Sequence, residues 1–256
     1  MSSHSVPIYV INLDDNQPRL ADVTEQLEVL NLNFERISAV AGRRLTEQEI
    51  TECYDANNNL KHHHRDLTKG EMGCYLSHRK IWQKMVDGQI PKALILEDDI
   101  RIQPRLLEAL DIANKSQGWE VIKVADAESV CPAHSKELTD NMTLVSYFKV
   151  PNRTMGYFIT LEAAKKMLSL KRFYRPVDVD FQFHTDFDVS VCGITPNCID
   201  ISPEFGLEEQ SDIVRQNQSE HNNHSTFFRN LKYRYSLYKR RKTESYQISD
   251  FYFIDK

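Results

Sequence analysis

The sequence predicts an α/β protein built on a mixed, mostly parallel sheet flanked by helices. Two apolar runs, Pro7–Leu13 and Ala93–Leu96, have the length and continuity of strands covered on both faces. The first leads through a helical pattern into a second strand, the order of a crossover between parallel strands. With 256 residues and 41% hydrophobic content, the chain can bury a large core. Only 8 glycines are present, which argues against collagen-like, linker-like and glycine-loop architectures.

In chain order, Pro7–Leu13 is a buried strand, punctuated by Asp14-Asp15-Asn16-Gln17-Pro18. A helix follows from about Arg19 to Leu30, then a strand over Phe34–Val40 and a short helix over Thr46–Cys53. The polar, Asn- and His-rich stretch from Asp55 to Lys69 reads as a loop, with His62-His63-His64 solvated in it. After Gly70-Glu71-Met72-Gly73-Cys74, a helix to about Val86 sets His78, Trp82 and Met85 along one face. Those three positions read as core.

The strand Ala93–Leu96 ends abruptly in Glu97-Asp98-Asp99. Helix Gln103–Ala113, strand Val121–Val124 and an irregular stretch from Asp126 to Asp140 come next. Strands over Leu144–Val150 and Met155–Thr160 precede a helix over Leu161–Leu170. The tract from Arg175 to Asp188 holds paired aspartates among aromatic residues. After about Phe227 the composition turns basic and aromatic, which divides the chain into a catalytic domain over 1–226 and an extension over 227–256.

Charge and cysteine usage narrow the function. Both signs are interspersed and the formal net charge is −5, which suits a globular enzyme and argues against a nucleic-acid partner. Cys53, Cys74, Cys131, Cys192 and Cys198 form an odd set with no CxxC pair, so neither a zinc knuckle nor a disulfide framework is expected. No run reaches the roughly 18 apolar residues of a membrane span, and Met1–Pro7 lacks secretory character. A reduced, cytoplasmic protein is the resulting expectation.

The acidic triplet after Ala93–Leu96 is the central chemical feature. Ligands of open α/β sheets bind at the carboxyl ends of strands. Alternation along an extended chain would place Glu97 and Asp99 on one side and Asp98 on the other. Two such carboxylates suit a hard cation, Mg²⁺ or Mn²⁺, that neutralises charge on a diphosphate leaving group. The plainer alternative is a strand end whose acids cap the next helix. Asp178 and Asp180, and again Asp186 and Asp188, repeat the i, i+2 arrangement. Such a group can serve as general base or metal ligand, or only satisfy turn backbone.

In order along the chain, several motifs resemble glycosyltransferase family 25, the lipooligosaccharide glycosyltransferases. They are Ile8–Leu13 with Arg19, Phe34–Val40, the run Gly70–His78, and Ala93–Asp99. Gly156-Tyr157, Pro176-Val177-Asp178 and Gln210–Ile213 are weaker echoes, and Ala41-Gly42 departs from an Asp-Gly common in relatives. The resemblance implies a GT-A-type fold and an inverting transfer of a hexose from a UDP-sugar, usually UDP-galactose, to a lipooligosaccharide core acceptor. It further implies that Asn12, Leu13 and Arg19 lie on the nucleotide side with Glu97 and Asp98. By the same analogy Glu97 and Asp99 hold Mn²⁺ or Mg²⁺, and Asp178 acts as base or further metal-site carboxylate.

Rival readings are a UDP-glucose-dependent transferase, a metal-dependent hydrolase or phosphotransferase, and a non-catalytic saccharide-binding protein. Seven Lys or Arg between Arg229 and Lys242, interleaved with Phe227, Phe228, Tyr233, Tyr235 and Tyr238, suggest contact with the inner-membrane surface.

Overall fold

A computed structural model describes residues 6–125, 132–205, 225–243 and 250–254. The elements in chain order begin with β1 (Ile8–Asn12), α1 (Gln17–Val29), β2 (Glu35–Ser38), α2 (Glu47–Cys53), α3 (Ala56–His62) and α4 (Lys69–Asp87). They continue with β3 (Lys92–Leu96), β4 (Ile100–Ile102), α5 (Leu106–Lys115), β5 (Ser116–Gln117), β6 (Val121–Lys123), β7 (Pro132–Glu137) and β8 (Thr143–Tyr147). The last are β9 (Gly156–Thr160), α6 (Leu161–Leu168), α7 (Val177–Gln182), β10 (Val191–Thr195), β11 (Ile199–Ile201), α8 (Ser225–Thr243) and β12 (Tyr252–Phe253).

Eight strands form one sheet in the order β2-β1-β3-β9-β6-β10-β8-β7. Tracing the pairings across it, six strands run one way and only β8 and β9 oppose them. This is the mixed, mostly parallel sheet flanked by helices that the GT-A-type expectation named. Alternate side chains of each strand feed two cores. Val10, Leu94 and Leu96 pack with Val23 and Leu27 of α1 and Leu106 and Ile112 of α5. Tyr9, Ala93 and Ile95 face the other way, against Ile81, Trp82 and Met85 of α4 and Met167 of α6. Trp82 and Met85 are fully buried, as their spacing on the helix predicts.

Helix starts follow local chemistry. Asn16 caps α1 through the Arg19 amide, with a proline in the first turn. Capping boxes open α2 (Thr46 with Glu49) and α4 (Thr68 with Glu71). Among the described residues no helix is long and apolar enough to cross a membrane.

Several expectations need correction. The Asp55–Lys69 stretch is not all loop: Asp55 caps α3 by accepting from the Asn58 amide, and buried Asn59 donates to the carbonyls of Arg65 and Tyr174. The histidine run is not solvated throughout: His62 is exposed, but His63 is buried beneath Tyr233 of α8 and His64 is half-buried. The stretch read as irregular from Asp126 to Asp140 contains β7, an edge strand too polar to show apolar alternation, and residues 126–131 lie outside the described set. The aspartate tract is helical over Val177–Gln182, so Asp178 and Asp180 do not share a side as they would on a strand. The motif echo at Gln210–Ile213 lies outside the described residues.

The 226/227 boundary falls inside the first turn of α8. That helix docks on α3: Arg229 donates to Asn59 Oδ1 at 2.8 Å and to the His63 carbonyl at 3.3 Å. Further on, β12 pairs with β5.

Candidate active site

The carboxyl ends of β1 and β3 lie side by side, since Val10 is in register with Leu96. Beyond Leu96 the chain bends at Asp98–Asp99 and leaves the main sheet as β4, which pairs with β11. Gln26 of α1 holds β4 from the other side, accepting from the Ile102 amide at 2.7 Å and donating to the Ile100 carbonyl at 3.0 Å. This departure ends the extended geometry, so the expected split of Glu97 and Asp99 from Asp98 does not occur. Both aspartates turn toward α1, where Arg19 Nη1 lies 3.4 Å from Asp98 and 3.9 Å from Asp99.

Asn12, at the end of β1, donates to Asp98 Oδ2 at 2.6 Å and accepts from Arg36 Nε at 2.9 Å. Thus Asn12, Arg19, Asp98 and Asp99 form one buried polar cluster. Burial pushes the Asp98 carboxyl up, against the opposing pull of Asn12 and Arg19. Leu13, the next residue, lines a cleft with Asp14, Ala39, Val40, Ala41 and Arg44, at the ends of β1 and β2. The floor of this region is tight: a Cβ on Gly73 of α4 would come within 2.5 Å of the Val40 carbonyl oxygen. That close approach gives the glycine in the Gly70–Cys74 run a packing reason.

Glu97 faces α4 instead. Thr154 Oγ1 donates to Glu97 Oε1 at 2.5 Å, and His78 Nε2 stands 3.4 Å from the same oxygen. Behind His78, its Nδ1 lies 2.8 Å from Tyr157 Oη, which accepts from Trp82 Nε1 at 3.1 Å. Burial works against charge on Glu97. The His78 imidazole, with Thr154 and Arg153, outweighs it and holds the carboxyl below its usual range.

Asp178 opens α7, where its two oxygens accept from the amides of Arg153 (3.2 Å) and Val179 (2.8 Å). Burial pushes its carboxyl up, enough to outweigh those hydrogen bonds and nearby Lys123. The structure joins Asp178 to Glu97 through one loop. Arg153 touches the first, Thr154 the second, and the Met155 carbonyl accepts from the Glu97 amide at 3.0 Å. Buried Lys123 Nζ pins that loop by donating to the carbonyls of Pro151 (2.5 Å), Asn152 (3.2 Å) and Arg153 (3.0 Å). Arg153 adopts φ 70°, a left-handed conformation that costs a non-glycine residue on the order of 1 kcal/mol and clusters at functional sites.

Asp180 plays a different part. Fully buried, it accepts from Tyr75 Oη and from Arg175 Nε, both at 2.6 Å, and Arg175 also reaches Asp186 at 2.9 Å. Asp188 is exposed at the C-cap of a short turn beside Lys166.

Thr154 and Lys123 carried no signal that the motifs captured. A lysine inside the apolar run Val121–Val124 was the available clue, because a buried cation needs several acceptors.

The sequence profile of glycosyltransferase family 25, described as an LPS biosynthesis protein, matches residues 5–183. A glycosyltransferase 25 family member of Aedes aegypti is 34% identical over 184 residues, 68% of this chain and 29% of the relative. Human procollagen galactosyltransferase 2 is 28% identical over 188 residues, again 68% of this chain and 29% of the relative. The chain therefore spans less than a third of the length of these curated relatives. Among solved structures, a glycosyltransferase involved in glycosylating the major capsid of PBCV-1 overlaps 82% of this chain and 98% of its own, with a TM-score of 0.42 and 10% identity. The matched span takes in β1, α4, β3 and α7, the elements that assemble the acidic cluster, and on that match the chain belongs to glycosyltransferase family 25.

Proposed function

We propose that this protein is an inverting glycosyltransferase that moves galactose from UDP-galactose to a sugar hydroxyl of a lipooligosaccharide core. The observation that carries this reading is the single loop, residues 151–155, linking Glu97 to Asp178 at the ends of the central strands. It puts an acidic cluster fit for a nucleotide-sugar diphosphate beside a separate carboxylate fit to accept a proton. Inversion needs one direct displacement, hence one base near the acceptor and stabilisation of the departing UDP.

In this mechanism Asp178 takes the proton of the acceptor hydroxyl as that oxygen attacks the anomeric carbon. Leu13 and the cleft beside it receive the nucleotide, and Arg36 and Asn12 orient Asp98. Arg19 adds a fixed positive charge where the diphosphate would lie. The residues expected to hold a Mn²⁺ or Mg²⁺ ion are Glu97 and Asp99, hard carboxylates that suit such a cation by chemistry although Glu97 faces His78 of α4 and Asp99 faces Arg19 of α1. When bound, it would neutralise charge on the leaving diphosphate.

The test is a donor screen with Mn²⁺, using UDP-galactose and UDP-glucose against truncated lipooligosaccharide, read by mass shift. A hexose added only from UDP-galactose supports the reading, and free sugar released without an acceptor points to a hydrolase. Chelation should abolish transfer and Mn²⁺ or Mg²⁺ restore it, while Asp99→Asn should lose turnover yet keep its fold. The names of the procollagen galactosyltransferases favour a second acceptor class, a polypeptide side chain, so a collagen-like peptide belongs in the same screen. Cytoplasmic placement with α8 on an anionic membrane surface belongs to the lipooligosaccharide reading.

A further inference from the structure

One side-chain cluster at the rim of the acidic site has a chemistry that carboxylate-based transfer does not use. Cys74 and His78 are one turn apart on the same face of α4, and both look toward Glu97 at the end of β3. Their ligand atoms, the Cys74 sulfur, a His78 ring nitrogen and a Glu97 oxygen, all lie within 4.8 Å of one another.

His78 is fully buried, and its Nε2 makes no hydrogen bond although it points at Glu97 Oε1 from 3.4 Å. That contact is longer than a well-formed hydrogen bond, so a ring nitrogen this deeply buried is under-satisfied by Glu97 alone. We propose that Cys74, His78 and Glu97 form a binding site for a borderline-soft divalent cation of the Zn²⁺ class.

The geometry matches such an ion. Two ligands at about 2.0–2.2 Å from a tetrahedral Zn²⁺ sit roughly 3.3 Å apart, which is the His78–Glu97 spacing to within a bond-length error. The Cys74 sulfur lies within 4.8 Å of the other two ligand atoms, and the thiol gives its proton to solvent on ligation. The other His78 nitrogen is already fixed: Nδ1 meets Tyr157 Oη at 2.8 Å, and Trp82 braces that hydroxyl at 3.1 Å. Metal-bound histidines are held in the same way by a partner on the second nitrogen. A thiolate, an imidazole and a carboxylate select Zn²⁺ over Mg²⁺ or Mn²⁺, which favour oxygen alone. Three protein ligands leave the fourth position open to water or a substrate oxygen.

Glu97 is shared with the proposed donor site. Zn²⁺ held there takes that carboxylate away from the hard cation and so inhibits transfer. The site itself stands on α4 and β3 whether or not the protein transfers galactose.

The test is titration of the full chain with Co²⁺, a spectroscopic stand-in for Zn²⁺. The expected result is a sulfur-to-cobalt charge-transfer absorption that saturates at one equivalent and is displaced by Zn²⁺. Cys74→Ser should abolish the band and Cys53→Ser should keep it. Tyr157→Phe should weaken the metal by roughly 10–100-fold, with circular dichroism confirming the fold. Absence of the band, or a band unchanged in Cys74→Ser, overturns the proposal. Because this readout is optical and needs no sugar donor, failure of the transferase reading leaves it intact, and the reverse holds too.

Discussion

Asp178 and Asp180 sit two positions apart on α7, about 200° around a helix, and that offset gives them different neighbours. Asp180 meets Arg175 and Tyr75 in the core, whereas Asp178 meets the loop amide of Arg153 at the site. Their asparagine variants should therefore part company. Asp180→Asn leaves Arg175 buried with half its charge partner gone, and should cost about 3–5 kcal/mol in chemical denaturation. Asp178→Asn should keep stability and UDP-sugar affinity by calorimetry while turnover falls roughly 10²–10⁴-fold. If Asp178→Asn loses UDP affinity together with turnover, the residue belongs to the metal or nucleotide group instead. Burial raises the Asp178 carboxyl above its ordinary value. Because a base works only when ionised, kcat should fall as pH drops through that raised value and recover above it, and Asp178→Asn should flatten this limb.

At the scale of elements, the sequence showed β1, α1, β2, α4, β3 and α6 because each has a continuous apolar run or a clean helical face. It hid α3, whose only signals are an Asp55 cap and a single buried Asn59, neither of which is apolar. It also hid β4, β10 and β11. These are short strands whose partners are distant in sequence, so nothing local marks them. Of the site, Glu97, Asp98 and Asp99 were legible as a strand-end triplet and Asn12 by resemblance, but the turn that parts Glu97 from the two aspartates was not. The Lys123 clamp was not, since its three acceptors lie on a loop of the next strand connection.

The seam between α3 and α8 carries its own expectation. His63 and His64 pack edge-on or tilted against each other and against Tyr233, with ring centroids 4.3, 5.3 and 4.9 Å apart. Burial first, then the nearby cations, lowers His63 from 6.5 to about 2 and His64 to about 4. A histidine whose folded value is depressed gives stability that is complete above its unfolded value and is lost as pH falls below it. The window here opens at pH 6.5 and runs downward. Between pH 6.5 and 5, His63 alone should cost about 2 kcal/mol, at about 1.4 kcal/mol per unit. Urea denaturation at the two pH values checks this, and His63→Phe should remove about half of the difference, the rest belonging to His64.

Over the whole molecule, charge is unevenly spread: the chain carries −5, yet α8 has seven Lys or Arg from Arg229 to Lys242. Phe228, Leu231, Tyr235 and Tyr238 are exposed along one stripe of that helix, opposite the Arg229 and Tyr233 face that docks on α3. A cation near an anionic bilayer contributes on the order of 1 kcal/mol, reduced by salt. The full chain should therefore sediment with anionic vesicles at low salt and be released at high salt. Tyr235→Ser combined with Lys232→Glu should weaken that binding and leave transfer to a soluble acceptor unchanged. Equal pelleting of both proteins would count against a membrane role.

The strand order has a further consequence, for the chain as it is made. β3 cannot complete its pairing until β9 has been synthesised some sixty residues later, and both partners of β9, β3 and β6, precede it. Until then the growing polypeptide presents β3 as a bare apolar edge, ready to pair with any other extended strand. Translation past Thr160 closes that window, and Asp178 follows only after α6, on α7. The half of the sheet that carries Glu97 is thus closed before Asp178 emerges, and the other half waits for β10 to enter between β6 and β8.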